Sequence, residues 1–290
     1  TILHNATVVT GEKEAVGTII INDGIISDVF YSDAEDYEFK VMRVLKDNPD
    51  ADIRELEGRH VMAGGIDAHV HFREPGLTHK ADMQTESRAA VAGGVTTVFD
   101  MPNTNPATVT AEALKGKMDL AEGRALTRIG FHIGATNSNA DMICSLVKEG
   151  DASWGVKADD IPGVKVFMGS STGNMLVDKG DSLDRLFDIK EKPILVHCED
   201  EETIKANLAA AIEKYGEDIP FAEHENIRSR RACIKSSIKA LEMAIKHGTK
   251  LVLCHISTKE EIEMARAAKT NNPSITAETS CNYLWFSNED

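Results

Sequence analysis

Two textures of hydrophobic and polar positions divide the chain. Through residues 1–62 the apolar positions come in short β-branched runs: Thr7-Val8-Val9, Thr18-Ile19-Ile20-Ile21 and Ile25-Ile26-Ser27-Asp28-Val29. Asn22-Asp23-Gly24 separates the last two, and that sequence between β-branched runs predicts a hairpin. The acidic stretch 32–37 predicts a loop. A segment this short buries little core alone, so it reads as the N-terminal part of a small β-sandwich domain that packs on something else.

From 63 to 290 apolar runs alternate with amphipathic helical patterns. The runs are 66–72, 95–101, 129–135, 164–168, 194–198, 251–256 and 275–279. Helices are predicted over 85–91, closed by Gly93-Gly94, and over 112–121, with Thr110 as N-cap. Further helices are predicted over 204–215, 227–246 and 259–269. Strand starts recur at roughly 30 residues, the length of a βαβ unit. The connection between the fifth and sixth is longer and holds two helices. Near-continuous apolar strands of this kind predict an α/β fold with a parallel sheet covered on both faces. No G-x-G-x-x-G follows the first strand, so a (β/α)8 TIM barrel is favoured over an open dinucleotide-binding sheet.

Composition narrows the classes. The 290 residues, 42% hydrophobic and 27% charged, suit one large domain or a large domain with a small appendage. Asp and Glu number 47 against 32 Lys and Arg, a net charge of −15. That balance argues against a nucleic-acid partner, whose grip rests on cations. The local run Arg228-Ser229-Arg230-Arg231 reads as a solvated helix face. No apolar run nears the roughly 20 residues that span a bilayer, so no membrane partner is expected. The five cysteines are scattered and form no C-x-x-C pair, which suits a reducing, cytoplasmic location.

Barrel enzymes build their sites where strands end, and polar residues gather there. The first run carries His69-Val70-His71, two imidazoles two residues apart and therefore on one face, able to share a metal ion. The fifth run ends at His197 and the sixth at His255. Lys165 sits inside the fourth, apolar run, where an ammonium is costly. It either pairs with a carboxylate or reacts as the neutral amine with CO2, giving a carbamate that can bridge two divalent cations. These donors suit zinc, and water between two such ions ionises near neutral pH. His132 reads as a core residue or a support for the ligands, and Cys198 and Cys254 as packing residues. Glu199 and Asp200 are candidates to orient an imidazole. His4, His60, His79, His224 and His247 read as surface or loop residues.

Ala63-Gly64-Gly65-Ile66-Asp67-Ala68-His69-Val70-His71-Phe72-Arg73-Glu74-Pro75-Gly76 resembles a signature of dihydroorotases, in the amidohydrolase superfamily. Met101-Pro102-Asn103-Thr104-Asn105-Pro106 is similar to a second signature. The resemblance implies two Zn2+ ions: His69 and His71 on the more buried one, His197 and His255 on the other, and N6-carboxylated Lys165 bridging them. It implies that Arg73 and Asn103 hold the substrate carboxylate. A guanidinium forks onto a carboxylate, which supports the first assignment on chemical grounds. The implied reaction is the reversible cyclisation of N-carbamoyl-L-aspartate to L-dihydroorotate in pyrimidine (UMP) synthesis, with a small-molecule substrate and a homodimer. The family also has an eighth strand bearing a catalytic Asp. Only seven strands can be counted here, so that residue is expected beyond 290 and the barrel to be incomplete. An allantoinase, another cyclic amidase, or a non-catalytic dihydroorotase-like partner protein are the alternatives.

Overall fold

Strand β1 (Ile2–Val9) lies antiparallel to β2 (Glu14–Asn22), which turns through Asp23 and Gly24 into β3 (Ile25–Tyr31). The turn residues have φ of 50° and 78°. Two-residue hairpin loops require such values, and Asp-Gly adopts them at little cost. The computed structural model describes residues 1–169 and 175–287, and the chain divides into two units, Thr1–Gly65 and Ile66–Asp290. In the first, β4 (Ile53–Glu55) and β5 (His60–Val61) pair in parallel with β1. The sheet buries Ala6, Val8 and Ile19.

Helix α1 (Tyr37–Asp47) begins where the sequence predicts only a loop. Tyr37 and Val41, one turn apart, are buried while Phe39 and Met42 are exposed. The helix thus has an inward face that the reading of the acidic stretch as a loop passed over. The Tyr37 hydroxyl meets Thr18 Oγ1 at 3.0 Å, and Thr18 Oγ1 meets His4 Nδ1 at 3.0 Å. His4 is therefore a half-buried strand residue, not the surface or loop residue expected.

The second unit alternates strands and helices in chain order. It runs β6 (Gly65–Val70), α2 (Met83–Ala92), β7 (Val95–Asp100), α3 (Ala111–Ala121), β8 (Arg128–Phe131) and β9 (Ile133–Gly134). Then come α4 (Ala140–Glu149), β10 (Val164–Phe167), α5 (Gly180–Phe187), β11 (Ile194–His197) and α6 (Glu201–Tyr215). The short α7 (His224–Ile227), α8 (Arg230–His247), β12 (Leu251–Leu253), α9 (Lys259–Ala268), β13 (Thr276–Ala277) and α10 (Cys281–Trp285) complete it. Caps explain several starts: Asp82, Thr110, Asp200 and Thr258 each accept a backbone N–H of the helix that follows.

Strand order follows chain order, β6-β7-β8 and β9-β10-β11-β12-β13. The two sheets share one run broken only at His132. The His132 N–H bonds the Asp100 carbonyl at 3.0 Å, and the next N–H, of Ile133, turns to Gly163 at 3.2 Å. Seven strand positions are thus present among the described residues. This is the α/β architecture of TIM-barrel type predicted from the alternation. Val164, Val166, Ile194, Val196, Leu251 and Leu253 are fully buried, which is why these runs read as continuously apolar. The first run departs from that pattern, for Ile66 is 69% exposed. β6 is an edge strand of its sheet, so one flank carries no neighbouring strand.

Candidate functional site

The side chains at the strand ends converge. The His69 and His71 rings have centroids 5.2 Å apart, His69 and His255 5.6 Å, and His197 and His255 4.9 Å. His197 Nδ1 faces His255 Nε2 at 3.0 Å. His255 reaches this position with φ of 38°, a backbone conformation costing a non-glycine residue about 1–2 kcal/mol. Lys165 is 1% exposed, and its amine donates to Cys254 Sγ at 2.9 Å. Among the described residues no carboxylate forms an ion pair with it. Cys254 packs with Met101 and Leu195 as a core residue. Its contact with Lys165 is an addition to the packing role expected, and burial pushes its thiol up to about 12, so it is no thiolate nucleophile.

Two carboxylates set the tautomers of this cluster. Glu278 Oε1 accepts from His69 Nδ1, leaving Nε2 with its lone pair free. Glu199 Oε2 accepts from His197 Nε2 at 2.6 Å, leaving the Nδ1 that faces His255. Glu199 Oε1 in turn accepts from Arg228 Nε at 3.0 Å. Burial, the largest single influence, works to raise both carboxyls, but it is outweighed by the bonded imidazole acting together with Arg228 at Glu199 and with Cys254 and Lys165 at Glu278. Both carboxyls are held below their ordinary range. Asp200, considered alongside Glu199, does not orient an imidazole. It caps α6, accepting from Thr203 N at 3.0 Å, and pairs with Lys235 at 2.8 Å.

Burial, followed by the charges of Arg73, His69 and Lys165, pushes His71 down to about 3. His255 is also pushed to about 3, by burial and by His197, Lys165 and His69. Both rings are neutral near pH 7, the state in which an imidazole ligates a metal. The donors fit a cation. Two nitrogens bound to one tetrahedral zinc lie about 3.4 Å apart at Zn–N distances near 2.1 Å, close to the 3.0 Å between His197 and His255. The donor atoms of His69, Cys254 and Glu278 also lie within 4.8 Å of one another. These donors could hold a metal ion.

Arg73 and Asn103 stand beside this cluster. Arg73 has φ of 62°, and its Nη1 is buried with no hydrogen-bond partner among the described residues. Asn103, 4% exposed, lies close enough to His71 to favour its charged form slightly, yet its Oδ1 completes no hydrogen bond. His132 stays in the interior, with Nε2–H donated to the Ala68 carbonyl at 3.1 Å. A cavity of about 300 Å³ opens on His197, Glu199, Arg228, Cys254, His255 and Tyr283. Sequence reasoning missed Glu278, which lies near the end of the seventh apolar run, so the strand-end rule applied to carboxylates would have found it. It also read Arg228 as part of a solvated helix face, whereas Arg228 precedes α8 and pairs with the buried Glu199.

Residues 60–277 match the amidohydrolase family. The dihydroorotase of Methanosarcina mazei is 32% identical over 245 residues, covering 81% of this chain and 50% of that protein. The allantoinase of Desulfitobacterium hafniense is 29% identical over 280 residues, covering 94% of this chain and 59% of that protein. The chain therefore spans between half and three fifths of the length of these relatives. Among solved structures, the L-hydantoinase (dihydropyrimidinase) from Arthrobacter aurescens superposes with a TM-score of 0.81 at 23% identity. That likeness covers 99% of this chain and 60% of the other, and it shows a shared fold.

Proposed function

The chain belongs to the amidohydrolase family, and from that footing we propose that the protein is a zinc-dependent dihydroorotase, a hydrolase of a cyclic amide. The observation that carries this is the buried, unpaired Nη1 of Arg73 beside the neutral imidazoles of His71 and His255. A buried donor left unpaired is costly, and a carboxylate completes an Arg fork. Dihydroorotate and N-carbamoyl-aspartate carry a carboxylate, whereas allantoin and hydantoin carry none.

In this reading His69 and His71 would hold one zinc, His197 and His255 the other, and N6-carboxylated Lys165 would serve both. When bound, the zinc ions polarise the amide carbonyl and lower the pKa of water. The chain's own residues do the rest. Glu278 and Glu199 take the N–H of His69 and His197, so that one bare nitrogen of each ring is presented inward. Arg228 holds Glu199 in place. Arg73 and Asn103 grip the substrate by its carboxylate, which converts binding into orientation.

The deciding experiment compares dihydroorotate, allantoin and hydantoin as substrates for the zinc-loaded protein, with and without a chelator. Dihydroorotate is expected to be hydrolysed with the highest kcat/KM, and chelation to abolish turnover. The relationship to an allantoinase supports a second reading, and preferred turnover of allantoin would establish it over the first. A protein that binds no zinc and turns over none of the three would be a non-catalytic relative.

A further inference from the structure

Arg73 and Asn103 reach the site on two loops, and both loops rest on α3. Asp100, fully buried, accepts from Phe72 N with Oδ1 at 2.8 Å and pairs with Lys117 through Oδ2 at 2.6 Å. Lys117, 1% exposed, donates also to the Met101 carbonyl at 2.8 Å. One ammonium inside α3 thus ties down the residue before Arg73 and the strand end leading to Asn103. On the other side of Arg73, Glu74 accepts from Met83 N at 3.0 Å and from the two terminal guanidinium nitrogens of Arg124, at 2.8 and 3.2 Å. Arg124 lies in the turn closing α3 and donates to the Leu120 carbonyl at 3.2 Å. The two loops press together at Gly76, where a Cβ would come within 2.0 Å of the Asn105 carbonyl.

Between these anchors Arg73 has a φ of 62°, which a non-glycine residue keeps only when its surroundings enforce it. We propose that α3 and its closing turn are the positioning element of the anion pocket. Lys117 acts through Asp100 and the Met101 carbonyl, Arg124 acts through Glu74, and together they hold Arg73 in its left-handed conformation. The proposal rests on the reading in which Arg73 takes the substrate carboxylate. Lys117 is too deeply buried for its loss to be read cleanly. Arg124, whose side chain is 39% exposed, is the informative position.

The test measures kcat and KM for dihydroorotate in the full-length wild-type protein and in its R124M, R124K and E74R/R124E variants. It adds a crystal structure of R124M. R124M is expected to raise KM on the order of tenfold, the scale of a small misplacement of a binding group, with kcat within about twofold. R124K and the charge swap are expected to recover much of the loss, and Arg73 is expected to leave the left-handed region in the R124M structure. An unchanged KM, a fall in kcat matching the rise in KM, or an unmoved Arg73 would overturn the proposal. A full-length wild-type protein inactive on dihydroorotate would instead sink the functional reading. The backbone of Arg73 in R124M would still decide the positioning role.

Discussion

At His132 a single hydrogen bond, from Nε2–H to the Ala68 carbonyl, sets the tautomer and leaves Nδ1 bare in the interior. Burial pushes its pKa from 6.5 down to about 4. As pH falls through 6.5 the unfolded chain takes up a proton that the native chain refuses until about pH 4. Stability present above pH 6.5 is therefore lost between these values, by roughly 3 kcal/mol. Urea midpoints measured from pH 7 to pH 4 should fall less steeply in H132Q than in wild type. Glu278 makes a second residue-scale prediction. E278Q keeps the shape but weakens the acceptor for His69 Nδ1, so zinc affinity should drop about ten- to a hundredfold in competition with a chromophoric chelator. His69, His71, His197 and His255 were legible because imidazoles at the ends of apolar runs are conspicuous. Glu278 was not, since a carboxylate there looks like the start of a loop. Arg228 lies 29 residues from the Glu199 it holds, beyond any local spacing rule.

α3 shows what one element contributes. Its start was readable from Thr110, whose hydroxyl accepts from Ala113 N at 3.1 Å, and its buried face carries Leu114 and Ala121. Lys117 is buried against Asp100, a placement nothing in the local pattern singles out. Burial pushes the Asp100 carboxyl up and the Lys117 ammonium down, and each partner's charge opposes the shift. Removing one partner of a buried pair leaves the other uncompensated. K117M should therefore cost roughly 3–5 kcal/mol, and D100N/K117M markedly less, as read from urea denaturation. The strands were legible in the same uneven way. β10 to β12 carry runs buried on both faces, whereas the edge strand β6 exposes Ile66, because the alternation of residues says nothing about which strand lacks a neighbour.

For the whole molecule the sheet must curl, since His69 at the end of β6 bonds Glu278 just past β13. A cation gathered from these strand ends would tie the first and last strands together and bind the native state alone. Zinc at about a hundred times its Kd should then add about 2.7 kcal/mol of stability, seen as a rise in Tm that excess chelator reverses. A Tm indifferent to zinc would contradict the metal reading. The charge of −15 belongs to this scale as well. On the proposed reading an anionic substrate would approach against it, and attraction would rest on local cations such as Arg73, whose field acts at short range.

The sequence by itself determined the alternation of strands and helices, the hairpin at Asp23-Gly24 and the imidazoles at the strand ends. Each of these follows from local periodicity, turn chemistry or residue type. Only the tertiary structure decided which carboxylate takes which imidazole N–H, that Lys165 meets Cys254, and that Lys117 and Arg124 brace the Arg73 loop. Those pairings join residues far apart in the chain, and burial, which sets their protonation, exists only once the sheet has curled.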